Sequence, residues 1–196
     1  MLRLILFALV LFLLSPSAGA DAPIPGKVSL DFTNADLVYV LKVLAKEAGL
    51  DVLVAPDVEG AVTTRVQNAA IAELLPSYLA AQQTRYVYEC KNGIIRVAPE
   101  GRLRPVAPAS ELKGATTFDF VNADLQYVLK LLARESGRYL VVAGDVQGAV
   151  TITAKDRPIN ELLPEILGIQ ETEFEYELRQ GLLLVAPAGR LQGGKR

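Results

Sequence analysis

The residues with the clearest chemical potential are four glutamates spaced two apart, Glu171, Glu173, Glu175 and Glu177. In an extended strand, side chains two apart point to the same face, so the spacing predicts one row of carboxylates about 7 Å apart. A row of like charges is typical of a solvated face that discourages pairing between sheet edges. The alternatives are a docking face for a basic protein partner or for the chain's own basic linker or tail, and a low-affinity cation site.

Two acid pairs are candidates for general acid–base hydrolysis, Asp31 with Asp36 and Asp119 with Asp124. The second acid of each pair falls in the first turn of a predicted helix, where a carboxylate complements the helix dipole. The sequence has no histidine and a single cysteine, which excludes Cys/His zinc sites, Ser–His triads and Cys–His dyads. It also has no glycine-rich phosphate loop. We therefore expect a protein that is not an enzyme and that binds no cofactor or metal.

The glutamate row belongs to the second copy of an internal repeat. Residues 28–103 return as residues 116–191 without a gap, and 39 of the 76 aligned positions are identical. A repeat of this length sets the structural unit of the chain. At the positions of the glutamates the first copy has a mixed set that includes Arg85, so we expect Arg85 and the four glutamates to contact different partners.

Each copy predicts an opening strand followed by an amphipathic helix. The strand covers residues 28–32, and Asn34 and its counterpart Asn122 stand where a helix N-cap belongs. Apolar residues then recur at i, i+3, i+4 and i+7, which gives the helix one buried stripe. Gly49 and Gly137 stand where a residue in the left-handed conformation ends a helix.

The middle of each copy predicts two strands and a second helix. Residues 51–55 form a short strand, Gly60 supplies a positive φ in the following turn, and residues 62–66 alternate as another strand, paired either with its predecessor or with the opening strand. The second helix covers residues 71–79. Its interior proline, Pro76, predicts either a kink or a short turn followed by a restarted helix.

The end of each copy predicts a β-hairpin. Residues 84–90 and 94–99 flank Asn92-Gly93, the strongest short hairpin signal in the chain. The order of elements in each copy is thus β-α-β-β-α-β-β. We expect an α+β protein of two tandem small domains, each with two helices packed against two- and three-stranded sheets.

The segments outside the repeat predict export. Residues 1–20 combine a short positive start, an apolar run and an Ala-x-Ala cleavage signal, the pattern of a secretory signal peptide. Residues 21–27 form an N-terminal extension. The two domains cover residues 28–99 and 116–187. The remaining segments are predicted as a semi-extended linker at residues 100–115 and a disordered tail at residues 188–196.

The charge distribution argues against nucleic acid as a partner. Residues 28–99 carry eight acids against six bases, and residues 116–187 carry eleven against six. A nucleic-acid-binding domain usually has a basic face.

Residues 28–99 resemble the short N-terminal domain of bacterial secretins and TonB-dependent transducers. Because the second copy repeats these residues, the chain resembles a tandem pair of such domains. The resembling stretches include Ser29 to Phe32, Asn34 to Leu37, Asp57-Val58 with Gly60, and Gly93 to Pro99.

This resemblance implies a fold of two helices between small sheets, and a role in protein recognition without catalysis. It implies a periplasmic location, with the outer membrane contacted only indirectly. The implied partners are a secretin, components of a secretion or type IV pilus assembly, or a receptor and its anti-sigma regulator.

The leading functional hypothesis is therefore a periplasmic adaptor of a secretin-type apparatus or of an outer-membrane signalling receptor. Two linked modules could engage two sites at once and gain avidity. The alternative is an envelope scaffold that self-assembles or associates with peptidoglycan.

Overall fold

The structure is a computed structural model that describes residues 23–105 and 109–191. Within these ranges the fold is mixed, with four helices and three sheets, which confirms the predicted α+β class. The predicted signal peptide at residues 1–20 lies outside the described residues. So do residues 21–22 of the extension, 106–108 of the linker and 192–196 of the tail.

The elements of the first copy are β1 (Lys27–Asp36), α1 (Leu37–Ala48), β2 (Asp51–Val54), β3 (Ala61–Ala70), α2 (Ile71–Ala80), β4 (Tyr86–Lys91) and β5 (Ile94–Pro99). The elements of the second copy are β6 (Ala115–Asp124), α3 (Leu125–Glu135), β7 (Tyr139–Val142), β8 (Ala149–Pro158), α4 (Ile159–Gly168), β9 (Phe174–Arg179) and β10 (Leu182–Pro187).

The opening strands are longer than predicted, and this changes the helix caps. β1 and β6 continue through a register shift, at which Asn34 and Asn122 have φ values of 50° and 53°. Asparagine tolerates this left-handed conformation better than most residues. The predicted asparagine caps are therefore wrong. Asp36 and Asp124 cap the helices instead, each accepting a 2.9 Å hydrogen bond from a backbone N–H three residues later.

The predicted apolar stripes of α1 and α3 form the centre of the core. Leu37, Leu44 and their counterparts Leu125 and Leu132 are fully buried. Gly49 ends α1 with φ 68°, and its N–H donates to the carbonyls of the last helical turn. The stripe and the glycine C-cap of α1 are both confirmed.

The second helix of each copy runs through its proline without a restart. Pro76 is the sixth residue of α2, and Pro164 is the sixth residue of α4. A proline at this interior position removes one intrahelical hydrogen bond, that to the carbonyl four residues earlier. The prediction of a short turn followed by a restarted helix is wrong.

A glutamine after each of these helices holds the turn before β3 or β8. Gln170 is buried, and its Nε2 donates to the carbonyls of Ile166 and Ala149 at 3.0 and 3.2 Å. Its Oε1 lies against Gly148, where an added Cβ would stand only 2.4 Å away. Gln82 repeats this arrangement beside Gly60. Both glycines have positive φ, as predicted for Gly60.

The hairpins form as predicted. Asn92 and Gly93 have φ values of 51° and 75°, and Gln180 and Gly181 have φ values of 46° and 84°. Two consecutive positive φ values are typical of the type I′ turn that suits a two-residue hairpin.

The sheets join the two copies. β3 pairs with the opening strand β1 in a two-stranded sheet, and β7, β10 and β9 form a three-stranded sheet. The third sheet has five strands in the order β4-β5-β2-β8-β6, because β2 of the first copy pairs antiparallel with β8 of the second. The predicted sheets of two and three strands per copy therefore apply to β1-β3 and β7-β10-β9, whereas the other two are fused.

The described parts of the predicted linker and tail pack against the repeats. Ala109 and Leu112 are buried, and Ala109 N–H donates to the carbonyl of Asn160. Arg190 lies 2.7 Å from Asp145, as Arg102 lies 3.2 Å from Asp57 in the first copy. Residues 188–191, predicted as the start of a disordered tail, are thus held by the second copy.

Candidate functional site

The junction between the copies is built on two central strands. Val52 lies opposite Thr153, and Val54 lies opposite Thr151. The side chains between these pairs, Leu53 and Ile152, are fully buried. The junction is therefore a continuous piece of core and sheet.

An ion pair flanks this strand pair. Asp51 Oδ2 lies 3.2 Å from Arg157 Nε, and Asp51 Oδ1 accepts a 3.0 Å hydrogen bond from the backbone N–H of Lys155. Arg157 also donates to the carbonyl of Asn92 in the first hairpin. Burial raises the pKa of Asp51, while the Lys155 N–H and the charge of Arg157 oppose this rise.

A second ion pair crosses the junction beside α1. Lys42 Nζ lies 2.5 Å from Asp119 Oδ1, which also accepts a 3.0 Å hydrogen bond from Thr153. These two hydrogen bonds lower the pKa of Asp119, with that from Lys42 the larger cause. The Asp119 side chain remains 70% exposed, so this pair contributes little to stability.

The third ionic contact is the most buried. Arg96 is 4% exposed, and its guanidinium lies 2.8 Å from Glu165 of α4 and 3.0 Å from Glu89 of the neighbouring strand. It also donates to the carbonyl of Arg104 at 3.3 Å. Burial raises the pKa of Glu165, and the charge of Arg96 opposes this rise. Arg96 therefore connects both copies and the linker.

Above the junction lies an open groove of about 1030 Å³ between α1 and the strands β6 and β8. Its rim carries two exposed apolar side chains, Tyr39 at 56% and Val121 at 64%. Lys46, Lys155 and Asp156 add charges of both signs. The groove is amphipathic and has no concentration of one charge.

The four glutamates do not share one strand face. β9 begins at Phe174, so Glu175 and Glu177 belong to the strand, whereas Glu171 lies in a bend and Glu173 immediately precedes the strand. The prediction of one row of four on a single strand is wrong, because Glu171 and Glu173 still belong to the loop that connects α4 to β9.

Each of the four glutamates has its own surroundings. The linker residue Arg104 donates to the carbonyl of Glu171 at 3.0 Å and lies 3.4 Å from the carboxylate of Glu173. Glu175 accepts a 2.5 Å hydrogen bond from the backbone N–H of Leu191. Glu177 lies 2.5 Å from Arg179.

These contacts place the linker at the wall of a groove between α4 and β9. The groove has a volume of about 450 Å³, and Arg104 and Pro105 form part of its wall with Glu173 and Tyr176. An extended segment with a basic residue therefore lies against the acidic edge of the second copy.

The corresponding groove of the first copy, between α2 and β4, has no described linker residue in its lining. It has a volume of about 400 Å³ and is lined by residues 76–88, including Pro76, Gln83 and Arg85. Arg85 takes the position of Glu173 and reverses its charge. Its 3.3 Å contact with Glu100 joins two largely exposed side chains, so a ligand can displace it at little cost.

In the described part of the chain, two further edge strands, β7 and β3, have no strand on one side. β7 pairs only with β10, and its residues Tyr139 and Val141 are 79% and 48% exposed. β3 pairs only with β1, and its residues Thr63 and Arg65 are exposed. Within the described residues, nothing covers either edge with a strand.

Sequence reasoning missed the buried charges of the junction. Arg96 interrupts an otherwise apolar strand, and its counterpart in the second copy is Leu184. A buried guanidinium is expensive unless it is paired, so this exchange was a usable signal of a contact that only the first copy makes.

The acid pairs considered for hydrolysis have structural surroundings. Asp36 and Asp124 cap helices, Asp119 binds Lys42, and Asp31 lies 3.5 Å from Arg65. In residues 23–105 and 109–191, no group of three or more acidic or cysteine side chains is placed to hold a metal ion. Over the same ranges, no helix has the length and apolarity needed to cross a membrane.

The chain matches no known protein-family model. It also matches no protein in the curated collection of known sequences.

Proposed function

We propose that this protein is a non-enzymatic adaptor of the bacterial periplasm, exported by its signal peptide, whose two repeats are tandem recognition modules of the secretin and TonB short N-terminal type. Its partners are protein components of the envelope: a secretin, a pilus or secretion assembly component, or an outer-membrane receptor with its regulator. The sequence resemblance and the export signal support the location.

The observation that carries the proposal is the pair of equivalent grooves, of which the described part of the chain's own linker lines one and not the other. In the second copy, the chain's own Arg104 and Pro105 lie beside Glu173 at the start of β9. In the first copy, the groove beside β4 has Arg85 at the same position and no segment in it among the described residues. The linker along the wall of the second groove supports an extended segment as the ligand of the first.

Charge complementarity indicates the ligand of the first-copy groove. Since Arg85 replaces Glu173, the extended segment should carry an acidic residue where the linker carries Arg104. β4 is an edge strand of the five-stranded sheet, so the segment can also add main-chain hydrogen bonds to it. The partner is therefore an envelope protein with an exposed acidic strand or extended terminus.

Site-specific photo-crosslinking in living cells tests this proposal. A photoreactive residue in place of the exposed Gln83 should crosslink a secretin, pilus, secretion or receptor component. Arg85→Glu should lower the yield about fivefold, the loss expected for a reversed exposed charge. Arg179→Glu, which reverses an exposed arginine on the edge strand of the other copy, is the matched control and should have no effect.

Two results would contradict the proposal. One is a crosslink pattern from Gln83 that contains no envelope assembly or receptor component. The other is an equal crosslinking yield with Arg85→Glu and Arg179→Glu, since the charge of Arg85 would then have no effect on binding in the groove.

A further inference from the structure

The two copies differ in which strands are covered. In the first copy, Val52, Leu53 and Val54 of β2 are at most 1% exposed because β8 lies beside them. In the second copy, the counterpart strand β7 leaves Tyr139 and Val141 largely exposed. The surface that β8 covers on the first copy is thus uncovered on the second.

The opposite surface shows the same difference. In β8, Thr151 and Ile152 are buried under β2. Their counterparts in β3, Thr63 and Thr64, are exposed and half-buried. The chain therefore carries both halves of its own internal junction in uncovered form, one on each copy.

We propose that β7 of one chain pairs with β3 of a second copy of this chain, in the antiparallel register that joins β2 to β8 within a chain. Within a chain, Leu53 of β2 lies opposite Ile152 of β8. Their counterparts in the other copy are Val141 of β7 and Thr64 of β3, so the same register places Val141 opposite Thr64. It also places Leu140 opposite Arg65 and Val142 opposite Thr63. The occupant of the β7 edge is thus another molecule of the same protein.

The backbone of β7 is oriented for this pairing. The N–H groups of Tyr139 and Ala143 donate to β10, at Gly181 and Val185. Because alternate residues of a strand point to opposite neighbours, the N–H groups of the intervening residues 140 and 142 face the open edge. In β2, Val52 and Val54 occupy these positions and lie opposite their partners in β8.

The side chains at the proposed contact compensate one another in pairs. Inside the chain, Asp51 faces Arg157; between chains, the corresponding residues are Tyr139 and Ala69. Both members of the ion pair are replaced, so a contact between chains leaves no unpaired charge from this position.

The Arg96 contact changes in the same way. Its partner inside the chain is Glu165, and the corresponding residues between chains are Leu184 and Ser77. Burying one member of such a pair alone would be strongly unfavourable. Replacement of both members keeps the interface between chains free of that cost.

One ion pair is retained. Lys42 and Asp119 correspond to Lys130 and Asp31, which are the same residue types. Asp31 is largely exposed and lies 3.5 Å from Arg65, so it is accessible to a lysine from a second chain.

The contact is heterologous, since it joins two different surfaces. Repetition of such a contact produces rings or open filaments. It should be weaker than the internal junction, because Val141 with Thr64 buries less apolar surface than Leu53 with Ile152. The assembly should therefore depend on protein concentration.

Analytical ultracentrifugation of the protein purified after export provides the first test. Wild type should sediment as a concentration-dependent series of oligomers. Val142→Pro removes an N–H at the open edge and should be monomeric, whereas Val142→Ala keeps that N–H and should still associate. Far-UV circular dichroism verifies that both variants are folded. A wild type that stays monomeric up to its solubility limit would overturn the proposal.

Disulfide trapping gives a second test that does not depend on the proline variant. Chains with Val141→Cys are mixed with chains with Thr64→Cys, since directly opposed residues of an antiparallel pair lie within disulfide range. The mixture should give a disulfide-linked dimer in at least tenfold greater yield than Val141→Cys mixed with Glu47→Cys, an exposed control position on α1. Equal yields in the two mixtures would refute the register.

These tests are independent of the proposed adaptor function. Val142 and Thr64 lie outside the groove at β4, so crosslinking of envelope partners from Gln83 should persist in the Val142→Pro variant. Loss of self-association alone would therefore leave the adaptor proposal standing.

Discussion

Replacement of Arg96 by leucine should destabilise the protein by removing the most buried charge of the junction. Arg96 is 4% exposed; it donates hydrogen bonds to the carboxylate of Glu89 and the carbonyl of Arg104, and it forms an ion pair with the carboxylate of Glu165. Removing one partner of a buried ion pair costs about 3–5 kcal/mol. The side chains of Glu165 and Glu89 remain 20% and 33% exposed, so we expect a loss of about 3 kcal/mol, at the lower end of that range.

Equilibrium urea unfolding followed by far-UV circular dichroism measures this loss as a shift of the midpoint at constant slope. Arg179→Leu is the matched control, since it also removes an arginine paired with a glutamate, but at a 50% exposed position. Its loss should stay below about 1 kcal/mol.

The double variant Arg96→Leu/Glu165→Ser separates a paired charge from simple packing. It installs the residues that the chain itself has at the corresponding positions, Leu184 and Ser77. If the loss in Arg96→Leu comes from the charge left on Glu165, the double variant should recover about 1–2 kcal/mol. A loss under about 1 kcal/mol in Arg96→Leu, or a double variant no more stable than the single, would refute this reasoning.

Two further predictions concern the second copy. Gly148→Ala should lower the free energy of unfolding by several kcal/mol, because the added Cβ would lie 2.4 Å from Oε1 of Gln170, and Gln170 is buried and fixed by its own hydrogen bonds. Thermal unfolding measures this loss, and a loss under about 1 kcal/mol would contradict the clash. Glu165 has a pKa raised above 4.5 in the folded state, so it binds protons more tightly there than in the unfolded chain, and its contribution to stability falls as the pH rises through the interval just above 4.5. Glu165→Gln should therefore gain stability relative to wild type across that interval, and a difference between the two that does not vary with pH would contradict the raised pKa.

The parts of the fold that were predictable from the sequence are those fixed by local pattern. The stripe from Leu37 to Leu44 repeats at the helical period, and Asn92-Gly93 permits two consecutive positive φ values. Both features depend on neighbours within a few residues. For this reason the sequence alone was sufficient for the helix positions and the hairpins.

The helix caps show where local pattern becomes ambiguous. Asn34 and Asp36 are both residue types that cap helices, and they stand two positions apart. The choice depends on the register shift in β1, which places Asn34 in the left-handed conformation and lets the strand continue to Asp36. That shift depends on the pairing of β1 with β3, which is too far along the chain for a local sequence pattern to reveal.

The candidate site shows the same limit. Arg85 and the glutamates were identified from the difference between copies, but the grooves beside them depend on how α2 and α4 pack on β4 and β9. The sequence already suggested the basic linker as one possible partner of the glutamates, and Arg104 does contact Glu173. The position of Arg104 could not be derived, because it also depends on the carbonyls of Gln170 and Glu171.

The differences between the copies at the junction also determine which surfaces can meet. If β2 of one chain approached β3 of another, Asp51 would face Ala69 and lose Arg157. Arg96 would face Ser77 and lose Glu165, keeping only Glu89 as its ionic partner. Such a pairing is penalised by several kcal/mol for each unpaired charge.

The reverse exchange, β7 with β8, fails for the same reason. It would bury Arg157 against Tyr139 and Glu165 against Leu184, again without compensation. Only two combinations keep the members of these two ion pairs together or leave both out: β2 with β8, which carries Asp51–Arg157 and Arg96–Glu165, and β7 with β3, which carries neither. Since specificity arises from penalties on the wrong pairings as well as from attraction in the right one, these coupled differences favour the internal junction within one chain and leave β7 and β3 for contact between chains.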